Sequence, residues 1–195
     1  MGPLDPESRS ASLHSSFARD VPSCLTRSHV PRRSRAVDQV LAQLEASPAR
    51  IADLTEGLTV AQSHAIPGPD AWSANDVLAH LRSCADVWGG CIRTIIDVDV
   101  PTIRAISPRG WIKRTNYRDL GFRASLAAFG AQRAELLALL NPLAPGEWAR
   151  TATVKGAGKV VTATVLDYAQ RLAGHEHHHL DQFARIAAAV RTSAE

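Results

Sequence analysis

The sequence predicts an all-α fold, a four-helix bundle with a long crossover between its second and third helices. Three observations carry that expectation. Four segments show apolar residues recurring at three- and four-residue steps, the period of a helix with one buried face. Between the second and third of them, residues 97–121 form a partly polar connection containing Pro101, Pro108 and Gly110. A connection of that length can cross the end of a bundle and let consecutive helices run parallel. No strand-like run is strong enough to challenge the helices; only residues 151–161, β-branched and glycine-containing, read as a short hairpin or extended loop.

The first helix begins at Ala36, with Val37, Val40, Leu41 and Leu44 along one stripe. Ser47-Pro48 can restart or kink it, and Ile51, Leu54 and Leu58 continue the stripe. After a loop with Pro67-Gly68-Pro69, the second start is sharply marked. Ser73 can cap it, Asp76 sits three residues on as a capping-box acid, and Trp72 can staple onto Val77. The helix runs to about Ile96, with Val77, His80, Cys84, Val87, Cys91 and Ile95 on one stripe. Gly89-Gly90 can loosen it locally or admit close packing. The third helix spans Phe122 to Leu140, with Leu126, Phe129, Arg133, Leu136 and Leu140 near one face, and Asn141-Pro142 stops it. The fourth begins near Thr162, its expected cap. Its seam is Val165, Tyr168, Leu172, His175, His179, Gln182, Ile186 and Val190.

Composition narrows the function classes. A chain of 195 residues, 45% hydrophobic and 21% charged, fits one globular domain with a real core. It contains neither an apolar run long enough to cross a bilayer nor a secretory h-region, so no membrane partner and a cytoplasmic location are expected. Six arginines against three acids in residues 1–35 account for the whole formal net charge of +3. The remainder balances at 16 basic and 16 acidic residues, so no nucleic-acid partner is expected. Residues 1–35, rich in Ser, Arg and Pro, read as a disordered basic leader; residues 36–191 are the bundle domain. Cys84 and Cys91 lie seven residues apart on one helix, about 10 Å by helical rise, too far to bridge, which fits a reducing compartment.

The histidines carry the chemistry. His175 and His179 are four residues apart, so both project from one helix face with Cβ atoms about 6 Å apart, a spacing that lets two imidazoles share one metal ion. They stand where the seam pattern calls for Leu or Ile. A buried imidazole without a partner costs about 1–3 kcal/mol, so two on adjacent turns need a shared one. His80, on the inner stripe of another helix, can complete a three-histidine face; alone it reads more often as a satisfied core histidine. His177 points away from His179 and is expected to be exposed, while His178 is the substitute ligand if the helix is rotated. Three imidazoles suit one divalent metal, zinc first, then nickel or iron, and leave a coordination position open, as in catalytic sites.

Other polar residues read more plainly. Glu176 points about 100° from His175 and is either a support for the ligands or solvated, rather than a general base. Gln182 can hydrogen-bond at the site or make an interhelical contact. Cys84, one turn past His80, fills core space better than it serves as a fourth ligand. The four tryptophans read as packing residues. Arg133 can pair with a buried acid or bind a substrate anion. Lys155-Gly156-Ala157-Gly158-Lys159 lacks the leading Gly and trailing hydroxyl of a phosphate loop.

Trp72-Ser73 followed by Asp76-Val77-Leu78-Ala79-His80-Leu81, and then His175-Glu176-His177-His178-His179-Leu180-Asp181-Gln182, resemble the two histidine blocks of the DinB/YfiT-like superfamily. Phe129 to Arg133 and Trp148 add weaker matches, and the resemblance covers about residues 36–190. It implies a four-helix bundle, a divalent metal on His80, His175 and His179, and often a homodimer. Its members include transferases of low-molecular-weight thiols such as bacillithiol, a mycothiol-dependent maleylpyruvate isomerase, and presumed hydrolases. Where relatives often carry acids after the first histidine, this chain has Arg82-Ser83-Cys84-Ala85, which puts acid-assisted chemistry there in doubt.

The expectation is therefore a metal-dependent enzyme that activates a thiol or water against a small-molecule substrate. The rival reading is a non-catalytic, stress-associated metal-binding bundle. An interaction module with a basic leader is a third.

Overall fold

The computed structural model describes residues 32–156 and 158–192. The expected leader over residues 1–35 lies almost wholly outside the described residues.

Four long helices form the bundle: α1 (Arg35–Leu54), α3 (Ala74–Asp97), α5 (Phe122–Leu140) and α6 (Val165–Thr192). Their starts follow local chemistry. The Ser34 hydroxyl accepts from the Val37 amide to cap α1. At α3 the Asp76 amide donates to Ser73 Oγ at 3.1 Å and Asp76 Oδ2 accepts from the Ser73 amide, the expected reciprocal box. Pro48 lies inside α1, which continues through it to Leu54. A short helix, α2 (Val60–His64), precedes the loop into α3. A Cβ added at Gly89 or Gly90 would meet nothing within 4 Å, so this pair does not serve close helix packing.

The fourth helix starts later than expected. Thr162 is not its cap: it belongs to strand β3 (Val161–Thr164) and pairs with Thr153 of β2 (Thr151–Lys155). The cap is Thr164, whose Oγ1 accepts from the Asp167 amide while Asp167 Oδ2 accepts from the Thr164 amide. Ladder pairing thus takes Thr162 from the helix and leaves Thr164, the last residue of the strand, to start it. The antiparallel β2–β3 hairpin agrees with the expectation for residues 151–161. Strand β1 (Thr102–Arg104), which pairs parallel to β2, was not foreseen. Three residues carry too little periodicity to announce a strand.

The crossover from α3 to α5 contains β1 and a short helix, α4 (Pro108–Trp111). It brings α5 back parallel to α3: Arg82 meets Ser125, and Asp86 meets Gln132 farther along both helices. Helix α6 packs against α1 and α3, as does α5, so α1 and α3 face each other across a diagonal.

The core is layered. One apolar cluster joins Leu44, Ile92, Leu140 and Leu172; a second joins Ile51, Leu78, Phe129 and Phe183. Full burial of each such side chain is worth about 1.5–3 kcal/mol. A polar layer is also buried in the bundle, where Ser47 of α1, Arg133 of α5 and Glu176 of α6 meet. Beside this polar layer lies the histidine cluster.

Candidate metal centre

Helix α6 carries His175 and His179 on one face, and α3 presents His80 to them. His80 Nε2 lies 2.9 Å from His175 Nε2, and His175 Nε2 lies 3.2 Å from His179 Nε2. All three expected histidines therefore meet at one point, with His80 and His179 buried and His175 half-buried. Cys84 joins them. Its Sγ is 3.6 Å from His80 Nε2, and donor atoms of His80, Cys84 and His175 lie within 4.8 Å of one another. Among the described residues this is the grouping with metal-site spacing.

Hydrogen bonding orients the rings. His179 Nδ1 lies 2.7 Å from Gln182 Oε1. An amide oxygen only accepts, so Nδ1 carries the proton and the Nε2 lone pair points into the cluster. This is the arrangement by which an outer partner sets the tautomer of a ligating histidine. Gln182, which the sequence left between two roles, acts at the site.

The electrostatics keep the imidazoles neutral. Burial, reinforced by the charges of His175 and His179 and by Arg109 and Arg118, lowers His80 to about 4. Burial and then His179, His178 and Arg109 lower His175 to about 4. His179 is lowered chiefly by burial, against the opposing pull of Gln182. At neutral pH three lone-pair-bearing rings thus stand edge to edge, and one shared proton can satisfy only one of their contacts. A tetrahedral ion with metal–nitrogen bonds near 2.0–2.1 Å would place its nitrogen ligands about 3.3 Å apart, close to both observed separations. The residues fit such an ion.

Cys84 is 1% exposed, and burial followed by the Glu176 charge pushes its thiol up to about 12. It remains a protonated, core-filling thiol beside the rings unless an ion draws off its proton.

The cluster forms the floor of a cavity of about 800 Å³. Trp72 and Trp88 are among its walls; their ring centroids lie 5.3 Å from His80 and 5.2 Å from His175, both edge-on. Sequence reasoning placed these tryptophans among packing residues and missed their place at the site. His178 is exposed and lines the same cavity, while His177 is exposed as expected.

Glu176 loses one of the two roles expected of it. It is not solvated but 2% exposed, and it forms an ion pair with Arg133 of α5. Burial pushes its carboxyl up to about 7, with Arg133 and then Ser47 pulling it down. Arg133 therefore pairs with a buried acid, one of the two roles open to it.

Residues 43–183 match the DinB superfamily. The chain belongs to that family. No curated protein matches it. Among solved structures it is similar to YfiT from Bacillus subtilis, at 20% identity and a TM-score of 0.68, covering 81% of this chain and 91% of that one. YfiT is described as "a probable metal-dependent hydrolase with an unusual four-helix bundle topology". At that identity the likeness shows the fold. No described helix of this DinB-superfamily chain is long and apolar enough to cross a membrane.

Proposed function

We propose that this DinB-superfamily bundle, over residues 36–191, is a metal-dependent enzyme whose single divalent ion is held by His80, His175 and His179. The observation that carries the reading is the convergence of three neutral imidazoles beneath an open cavity, with His179 Nε2 aimed inward by Gln182. Zinc is preferred for this nitrogen donor set, with nickel or iron next. Bound there, the ion would supply Lewis acidity, lowering the pKa of a thiol or a water molecule.

The protein's own residues supply the rest. Gln182 fixes one ring, Trp72 and Trp88 narrow the approach, and the cavity admits a small-molecule substrate. Transfer of a low-molecular-weight thiol and hydrolysis are the two reaction types proposed. The same reading places the protein in the cytoplasm, as a homodimer, with Cys84 and Cys91 unbridged. The cavity favours an enzyme over a purely structural metal bundle, which would close over its ion.

The test is the metal content of purified, tag-free protein, comparing wild type with His175→Ala and His179→Ala. One transition metal per chain, lost in both variants, is expected; thiol transfer would then be assayed before hydrolysis. Wild type that takes up neither zinc nor nickel on incubation overturns the reading.

A further inference from the structure

The cavity above the histidines is lined by two arginines, Arg109 of α4 and Arg185 of α6. Asp70 is the sole carboxylate among its lining residues. The ion pairs among the described residues are Arg118–Asp76 and Arg133–Glu176, so neither cavity guanidinium is engaged with an acid. An unpaired arginine on open surface needs no explanation, since water solvates it. Arg109 differs in being held in place. Its guanidinium carbon stands 5.6 Å from the centroid of the Trp72 ring, which is itself a wall of the cavity. Its short helix is tethered from beneath: Trp111 Nε1 donates to Asp86 of α3 at 3.0 Å, and the Tyr117 hydroxyl donates to the same carboxylate at 2.7 Å. Gln132 Nε2 completes the anchor on the other carboxylate oxygen. The crossover is thus fastened to α3 at the point where it carries a cation to the mouth of the cavity.

We propose that the substrate of this site carries a carboxylate, captured by Arg109 with Arg185 adding to the field, while its apolar body lies against Trp72 and Trp88. A guanidinium presents paired N–H donors that match the two oxygens of a carboxylate, and a donor positioned in advance loses less freedom on binding. The indole walls accept a flat apolar body without demanding hydrogen bonds. This deepens the metal-site reading by naming its substrate class. It rests on that reading only for where the reacting end of the molecule sits.

Calorimetric titration with benzoate, and with benzamide as its neutral counterpart, tests the assignment on zinc-loaded and chelator-treated protein. Benzoate should bind wild type, and Arg109→Ala should weaken it about tenfold or more in both forms. Arg109→Lys should recover part of the loss, and Arg185→Ala should cost less than Arg109→Ala. Benzamide should bind all variants alike. Arg109 is exposed, so its variants are expected to keep the wild-type circular dichroism and unfolding midpoint.

Three results overturn the proposal: no benzoate binding to wild type up to about 20 mM, a change below about twofold in Arg109→Ala, or an equal loss for benzamide. The metal reading fails separately. Wild type that takes up no zinc on incubation, yet binds benzoate through Arg109, would retire the metal and keep the anion site. Zinc-loaded protein indifferent to Arg109 would do the reverse.

Discussion

His175 and Glu176 are neighbours in sequence, yet they lead to two polar clusters that meet the cost of burial in opposite ways. Glu176 turns into the bundle and finds Arg133, so each charge has an opposite charge beside it. His175 turns toward the cavity and finds two more imidazoles, each neutral and each offering a lone pair. The first cluster supplies its own counter-charge and is sealed. The second holds like groups together beside an opening. The difference teaches how to separate structural polarity from functional polarity: a sealed cluster contains its partner, whereas a cluster of like groups beside a cavity calls for a partner from outside.

Acid should separate the two most strongly. In metal-free protein His80 and His175 are lowered to about 4, against about 6.5 when unfolded. The unfolded chain then binds more protons between those values, so stability is present above pH ~6.5 and is lost as pH falls toward ~4. Each ring contributes a slope of up to about 1.4 kcal/mol per pH unit. Glu176, raised to about 7, has the opposite sign: its contribution falls as pH rises from ~4.5 to ~7. Urea midpoints of metal-free protein should therefore drop on acidification, and should drop more steeply once Glu176 is removed. A midpoint flat from pH 7 to ~4 would break the assignment of buried neutral imidazoles.

Breaking the sealed cluster comes next. Arg133→Met leaves a buried carboxylate unpaired and should cost about 3–5 kcal/mol in chemical unfolding. Removing both charges in Arg133→Met/Glu176→Leu should recover most of that loss. Equal losses in the single and double variants would mean that packing, rather than charge pairing, dominates the layer.

The open cluster should respond in metal affinity instead. His175→Ala and His179→Ala should each weaken zinc binding by about 100-fold or more, exceeding the loss expected for an outer partner. The unfolding free energy of the metal-free variants should stay within about 1 kcal/mol of wild type. Competition with a chromogenic chelator reads the affinity. A variant that loses stability but keeps zinc would make the cluster structural.

The smallest effect is expected at Gln182. Gln182→Leu frees the His179 tautomer and should weaken zinc by about tenfold without removing the site. Unchanged affinity would mean that His179 does not bind through the nitrogen turned inward.

The bundle and the histidine triad were legible because both are periodic. A stripe at three- and four-residue steps fixes a helix face, and His175 and His179 fall on that face whatever the helix packs against. The same rule marked the α3 cap, since Ser73 and Asp76 are local partners. It failed where pairing was distant. Strand β1 exists because Thr102–Arg104 meet Thr153–Lys155, and Thr162 loses its capping role to that same sheet. Glu176 could be given a direction relative to His175, but not a destination, because Arg133 lies 43 residues away.

What the sequence by itself determined is what a helix enforces within one or two turns: the order of the four long helices, the α3 cap, and that His175 and His179 share a face. Tertiary structure alone decided that His80 comes within 2.9 Å of His175, that Glu176 is neutralised by Arg133 rather than solvated, and that Trp72, Trp88 and Arg109 surround the site. Those facts depend on the rotation of each helix against its neighbours and on where the crossover is fastened. Both are set by packing summed over the whole core, to which no short stretch of sequence has access.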